Sequence, residues 1–215
     1  MDRTINAILF DLDNTLYDAR AGLQEVGDRN ITDWIVERLG ISRPEADELR
    51  LRTWREYGTT AKGLEMEYGI NGRELYEATI SSINPAEVLA PWPELEQMLR
   101  RLSVDCHVFT NSTAVYARGV LAALGIDRFF DHIFDIEYCG WVCKPNEDSY
   151  HKIVAELGLP PERIAFVEDN PGNLVPAKKM GMLTVWLDNR GDGGDDWDLH
   201  IESILDLADA LQAAC

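Results

Sequence analysis

Asp11 and Asp13 stand two residues apart in Asp11-Leu12-Asp13-Asn14-Thr15, directly after the apolar run Ile5, Ala7, Ile8, Leu9 and Phe10. Such a run reads as a buried strand, so both carboxylates leave it at its C-terminal end, the edge where open α/β sheets bind their ligands. Side chains alternate along an extended backbone, which puts residues two apart on one face and lets both acids address one ligand. Like charges that close repel unless a cation or a proton relieves them. A solvated turn draws on the same residue types, so the remainder of the chain has to decide between the two.

Three further clusters come after strand-like runs. Val108-Phe109-Thr110-Asn111-Ser112 offers a hydroxyl and backbone amides at a helix start, a natural anion cradle; an ordinary N-cap by Asn111 or Ser112 uses the same residues. Lys144 precedes Pro145, whose ring fixes its own φ and biases the residue before it toward extended backbone. Phe166-Val167-Glu168-Asp169-Asn170-Pro171 supplies a second acidic pair, with Asn173 close behind; a capped helix with Pro at its first position accounts for part of that pattern. In order, acid pair, hydroxyl, lysine and acid pair describe phosphoryl transfer. A carboxylate can attack phosphorus and form an aspartyl phosphate. Two or three carboxylates suit Mg²⁺, a lysine and the metal neutralise the incoming anion, and the second Asp protonates the departing alkoxide.

The elements that must hold these groups are legible in outline. Strands are expected at Ile5 to Phe10, Cys106 to Thr110, near Ile133 and Phe134, Ile164 to Glu168 and Leu183 to Leu187. Helices fall between them at Ala114 to Leu124, Glu147 to Leu157 and Leu174 to Met180, with a last one from about Ile201 to Gln212. Alternation of this kind predicts an α/β fold, a Rossmann-like parallel sheet flanked by helices. From about residue 18 to 88 the chain reads as helices only. Ser42 with Glu45 and Pro44, and Asn71 with Glu74, mark helix starts, while Gly40 and Gly69 mark stops. A crossover needs far fewer residues, so 18–88 is expected to be an inserted all-helical domain within a catalytic core of 1–17 and 89–215.

With 215 residues, 46% hydrophobic and 27% charged, the chain has material for a sizeable core. No secretory signal or bilayer-spanning stretch is evident, which makes a cytoplasmic enzyme the expectation. Cys106, Cys139, Cys143 and Cys215 lack paired spacing, so reduced thiols are expected rather than bridges or zinc ligands. A formal charge of −18 argues against a nucleic-acid polymer as partner. An anionic small molecule would need local positive charge against that field. The late acids Asp188, Asp192, Asp195, Asp196, Asp198, Glu202 and Asp206 read as a solvated turn before the last helix.

The four clusters resemble the motifs of the haloacid dehalogenase-like phosphohydrolases: Asp11 to Thr15, Thr110, Lys144-Pro145 and Glu168-Asp169, in that order. The resemblance implies Asp11 as nucleophile, Asp13 as general acid and then base, and Thr110, with Asn111 beside it, and Lys144 as phosphate clamps. It implies Mg²⁺ on Asp11, the Asp13 main-chain carbonyl and Asp169, with Glu168 bound directly or through water, and a helical cap over a small phosphate monoester. Dehalogenases of the family generally lack the second acid, so Asp13 points to phosphatase chemistry. Phe10 to Tyr17, Glu56-Tyr57-Gly58, Lys62-Gly63-Leu64, Glu137-Tyr138-Cys139 and Cys143-Lys144-Pro145 resemble the pyrimidine 5′-nucleotidase branch. That likeness implies UMP- or CMP-like substrates, with Arg55, Tyr57 and Lys62 as candidates to meet the nucleoside; ordinary helix packing and solvated charge explain those three more readily. Phosphatases for phosphoglycolate or sugar phosphates, a sugar phosphomutase, and a silent scaffold that binds a protein partner are the alternatives. Retention of Asp11, Asp13 and Asp169 speaks against the scaffold.

Overall fold

A computed structural model describes residues 4–188 and 196–214. Its centre is a six-stranded sheet built from β1 (Ala7–Phe10), β2 (Asp105–Phe109), β3 (His132–Phe134), β4 (Ile164–Glu168), β5 (Leu183–Leu187) and β6 (Leu199–Ile201). Every pairing is parallel and the order is β3-β2-β1-β4-β5-β6. This is the doubly wound arrangement in which the chain reverses its direction of travel across the sheet next to β1.

Strand alternation explains why the sheet needs cover on two faces. Ile8 and Phe10 of β1, Val108 of β2 and Ala165 and Val167 of β4 belong to one apolar cluster, whereas Leu9, Phe109 and Phe166 belong to another. The first cluster takes in α5 (Pro93–Leu99), α6 (Ala114–Leu124) and α9 (Leu207–Ala214). The second takes in α7 (Glu147–Leu157) and α8 (Pro171–Met180). Each fully buried Leu, Ile or Phe contributes about 1.5–3 kcal/mol, which makes β1, buried along its whole length, a rigid mount for the acids at its C-terminal end.

Between β1 and β2 lie α1 (Leu23–Leu39), α2 (Arg43–Tyr57), α3 (Thr60–Tyr68) and α4 (Gly72–Ala78). They bury an apolar cluster of their own around Ile35, Leu49, Leu64 and Leu75. The expected punctuation is present: Ser42 and Glu45 form a reciprocal capping box with Pro in the first turn, Asn71 caps α4, and Gly40 and Gly69 end α1 and α3 in left-handed conformation.

Three expectations need correction. Ile201 ends β6 rather than starting the last helix, which runs from Leu207 after a short 3₁₀ turn at Ile204–Asp206. Thr113, not Asn111 or Ser112, caps α6, because the Asn111 side chain is bonded to the Lys144 backbone and the Ser112 hydroxyl to Asp13. The late acids are not all solvated: Asp188 is buried beside His200, and Asp198 accepts from the Thr184 amide and hydroxyl at 2.9 and 2.8 Å. Asp192, Asp195 and Cys215 lie outside the described residues. Cys106, Cys139 and Cys143 are buried free thiols, and among the described residues no helix is long and apolar enough to cross a membrane.

Candidate active site

Asp11 is the first residue beyond β1, and its amide still donates to the Val167 carbonyl of β4 at 2.9 Å. Thr110 continues β2 in the same way, through the Phe134 carbonyl at 3.1 Å. Both are thus held by the sheet ladder itself. After Asp13 the chain turns through Asn14 at φ +62°, a left-handed conformation Asn tolerates better than most side chains. Asn14 then donates to Gln24 Oε1 at 2.8 Å, tying the turn to α1.

Lys144 lies in the middle. It is 2% exposed, and its ammonium donates to Asp11 Oδ1 at 2.6 Å, Glu168 Oε2 at 2.8 Å and the Phe109 carbonyl at 2.9 Å. Those three contacts use all three ammonium protons. Burial pulls the lysine down, but Asp11 and Glu168 outweigh it and hold it above the ordinary lysine range. The segment is positioned by Asn111, whose amide accepts from the Lys144 main-chain N–H at 2.7 Å and donates to its carbonyl at 3.1 Å. Glu168 is fixed on both oxygens, by the Asn170 amide at 3.1 Å and the Asn173 side chain at 3.0 Å.

Asp11, Glu168 and Asp169 each bring a carboxylate oxygen within 4.8 Å of the others. One lysine among three carboxylates leaves two negative charges uncompensated, and burial of such charge is costly. Burial first, then the negative field of Glu168, pushes Asp11 up to about 7 and Asp169 up to about 9. A hard oxygen donor set with a deficit of two charges fits a divalent cation.

Asp13 is oriented differently. Its Oδ1 accepts from Tyr17 at 2.5 Å and Tyr116 at 2.9 Å, and its Oδ2 accepts from Ser112 at 3.2 Å. Burial raises Asp13 above the usual aspartate range while the three hydroxyls pull it back. Asp13, Asn111, Ser112 and Tyr116 border a cavity of about 260 Å³ that Gln24, Arg50 and Trp54 also line.

Arg55, Tyr57 and Lys62 do not join that group. They line a separate, larger cavity of about 1070 Å³, and Lys62 is paired with Glu65 at 2.8 Å. Gly58, Thr59 and Ala61 border both cavities. Sequence reasoning missed Tyr17 and Tyr116 around Asp13, and Trp54 and Arg50 in the same cavity lining. Trp54 sits one residue from the expected Arg55 but on another face of α2. Ser112, read from the sequence as part of an anion cradle or as a cap, instead donates to Asp13.

Carboxylates and a buried lysine gathered at the C-terminal ends of an all-parallel sheet define a catalytic α/β domain. The chain belongs to the haloacid dehalogenase-like hydrolases, whose family model matches residues 5–181. Among its relatives, glyceraldehyde 3-phosphate phosphatase of Methanocaldococcus jannaschii is 26% identical and aligns over 97% of both chains. 5′-Nucleotidase of Pseudomonas aeruginosa is 27% identical over 88% of this chain and 85% of its own. Phosphate metabolism protein 8 of Saccharomyces cerevisiae is 28% identical over 84% of this chain, which spans 61% of the yeast protein's length. The HAD phosphatase structure from Thermococcus onnurineus superposes with a TM-score of 0.69 at 22% identity, covering 96% of this chain and 98% of that one, and so shares the fold.

Proposed function

We propose that this hydrolase is a Mg²⁺-dependent phosphomonoesterase that cleaves pyrimidine nucleoside 5′-monophosphates through an aspartyl phosphate on Asp11. The observation that carries the reading is the buried Lys144 ammonium bridging Asp11 and Glu168, with Asp169 completing an acidic triad. Such a centre holds positive charge beside a carboxylate nucleophile inside a strongly acidic molecule.

Asp11, Asp169, Glu168 and the Asp13 main-chain carbonyl would hold Mg²⁺, which when bound supplies charge neutralisation for the phosphate and the nucleophile. Lys144 favours the ionised form of Asp11 against the burial and the Glu168 field that raise it, and attracts the phosphate to it. Thr110, whose Oγ1 accepts from the Ser112 amide at 3.0 Å, keeps its own hydroxyl proton for a phosphate oxygen. A carboxylate oxygen of Asp11 forms a bond to phosphorus as the ester P–O bond breaks, its electron pair staying on the leaving oxygen. Asp13 gives that oxygen a proton, and later takes one from the water whose oxygen bonds to phosphorus as the Asp11 O–P bond breaks, freeing Asp11 and inorganic phosphate.

Residues 18–88 act in this reading as a cap that excludes water and meets the leaving group. Trp54, half-exposed and lining the same cavity as Asp13, gives a planar base a surface to stack on. The Pseudomonas 5′-nucleotidase, aligned over most of both chains, supports this choice. A triose phosphate is the second reading, favoured by the full-length likeness to the Methanocaldococcus enzyme.

A phosphate-release screen with Mg²⁺ over UMP, CMP, AMP, glyceraldehyde 3-phosphate, phosphoglycolate and hexose phosphates tests the choice. Preference for UMP and CMP over AMP is expected. Preference for a triose, glycolate or hexose ester would replace the nucleotide reading, and no release from any of them with several divalent metals would restore the scaffold alternative.

A further inference from the structure

Tyr17 and Tyr116 reach Asp13 from two different elements. Tyr17 ends the turn after β1, Tyr116 lies in the first turn of α6, and both rings are buried, at 2% and 4% exposure. Their hydroxyls stand 3.3 Å apart and both meet the same carboxylate oxygen, Oδ1, at 2.5 and 2.9 Å. Among the described residues the other oxygen, Oδ2, has Ser112 alone, at a longer 3.2 Å.

Two phenol protons directed at Oδ1 leave it no room for a third. A proton carried by Asp13 therefore sits on Oδ2, where the Ser112 hydroxyl can turn to accept it. The reading of Asp13 as the acid for the leaving group is the one this rests on. We propose that Tyr17 and Tyr116 are positioning residues that hold Oδ1 of Asp13 and so present Oδ2 to the leaving oxygen. The proton leaves Oδ2 as the ester P–O bond breaks, and returns to Oδ2 from the attacking water, with Oδ1 bonded to the phenols throughout. Two buried rings on separate elements also lock the rotation of the carboxylate, which a single donor would not.

The test compares Tyr17→Phe, Tyr116→Phe and the double variant on UMP, whose alkoxide leaves poorly, and on p-nitrophenyl phosphate, whose phenolate leaves unassisted. General acid catalysis is worth about 10²–10⁴-fold. The double variant is expected to lose roughly tenfold or more in kcat/KM on UMP and to stay within about threefold in kcat/KM on p-nitrophenyl phosphate. That ratio reports formation of the phosphoenzyme and not its later hydrolysis, in which Asp13 serves both esters alike. In an Asp13→Asn background the same substitutions should add nothing, because the group they position is gone. Equal losses on both esters, or a full loss on top of Asp13→Asn, would overturn the proposal; Phe retains the ring, and a thermal melt on each variant detects misfolding directly. Failure of the underlying reading looks different: the parent enzyme then releases no phosphate from either ester with Mg²⁺, and both ideas fall together.

Discussion

Three acids around one ammonium make the site electrostatically unfinished, and that has measurable consequences at single residues. Asp11→Asn keeps the volume and removes the nucleophile, so turnover should fall by several orders of magnitude while the thermal melt stays close to the parent's; appreciable residual rates would contradict a phosphoenzyme. Lys144→Met strands two buried carboxylates, and breaking a buried pair costs about 3–5 kcal/mol, which a denaturant titration would register together with lost activity. Asp11 at about 7 and Asp169 at about 9 lie above the 3.8 of an unconstrained aspartate. The metal-free folded chain therefore binds more protons than the unfolded chain, and its stability falls as pH rises from about 4 toward 9. Mg²⁺ must displace those protons, so its affinity grows with pH. At a hundredfold excess over its dissociation constant it should add about 2.7 kcal/mol, roughly 5–10 °C in Tm; at one fixed Mg²⁺ concentration the gain should be larger near about pH 8 than near about pH 5.5. An equal or reversed gain would count against these carboxylates as the ligands. Acids placed just after strands announce themselves in sequence; Tyr17 and Tyr116 do not, because 99 residues separate two rings that meet only after β1 and α6 pack together.

Elements buried on both sides were the easiest to read. β4, β5, α6 and α7 fall on the expected residues, since uninterrupted apolar runs and regular amphipathic spacing leave little room for error. β6 escaped because Leu199-His200-Ile201 is three residues long with a polar centre, and Ile201 also fits the start of a helix. The individual spans of α1 to α4 were unclear for a related reason: α2 buries only Ala46, Leu49 and Thr53 among its 15 residues, too thin a stripe to stand out. Packing between α2 and α3 is nonetheless tight. A Cβ at Gly63 would come within 2.3 Å of Thr53 Cβ and 2.9 Å of the Tyr57 ring. Gly63→Ala should therefore cost about 1–3 kcal/mol by forcing the two helices apart, visible as a lower melting temperature. Because α2 also carries Trp54, the KM for UMP should rise while turnover of p-nitrophenyl phosphate persists.

For the whole molecule, a formal charge of −18 sets the approach of an anionic substrate against the net field. Moderate salt screens that repulsion, so kcat/KM for a dianionic ester should rise by about twofold or more between low and near-physiological ionic strength, provided Mg²⁺ is saturating. A fall over the same range would mean that local cations dominate the encounter. The composition made this field legible at once, whereas the partition of space inside the molecule was not, because it depends on where α2 and α3 settle against the strand ends. Gly58 closes α2 with its α-carbon turned toward the Lys144 carbonyl, where an added Cβ would sit at 3.2 Å, and Thr59 and Ala61 continue the wall between the two cavities. Trimming Thr59 would join the chambers, at a cost of about 1 kcal/mol for the helix cap it provides to α3. In the proposed reading Thr59 and Ala61 divide the space offered to the leaving group and can be varied, whereas Gly58, at φ +84° against the Lys144 carbonyl, leaves no room for a side chain without pressing on the lysine that holds Asp11 and Glu168.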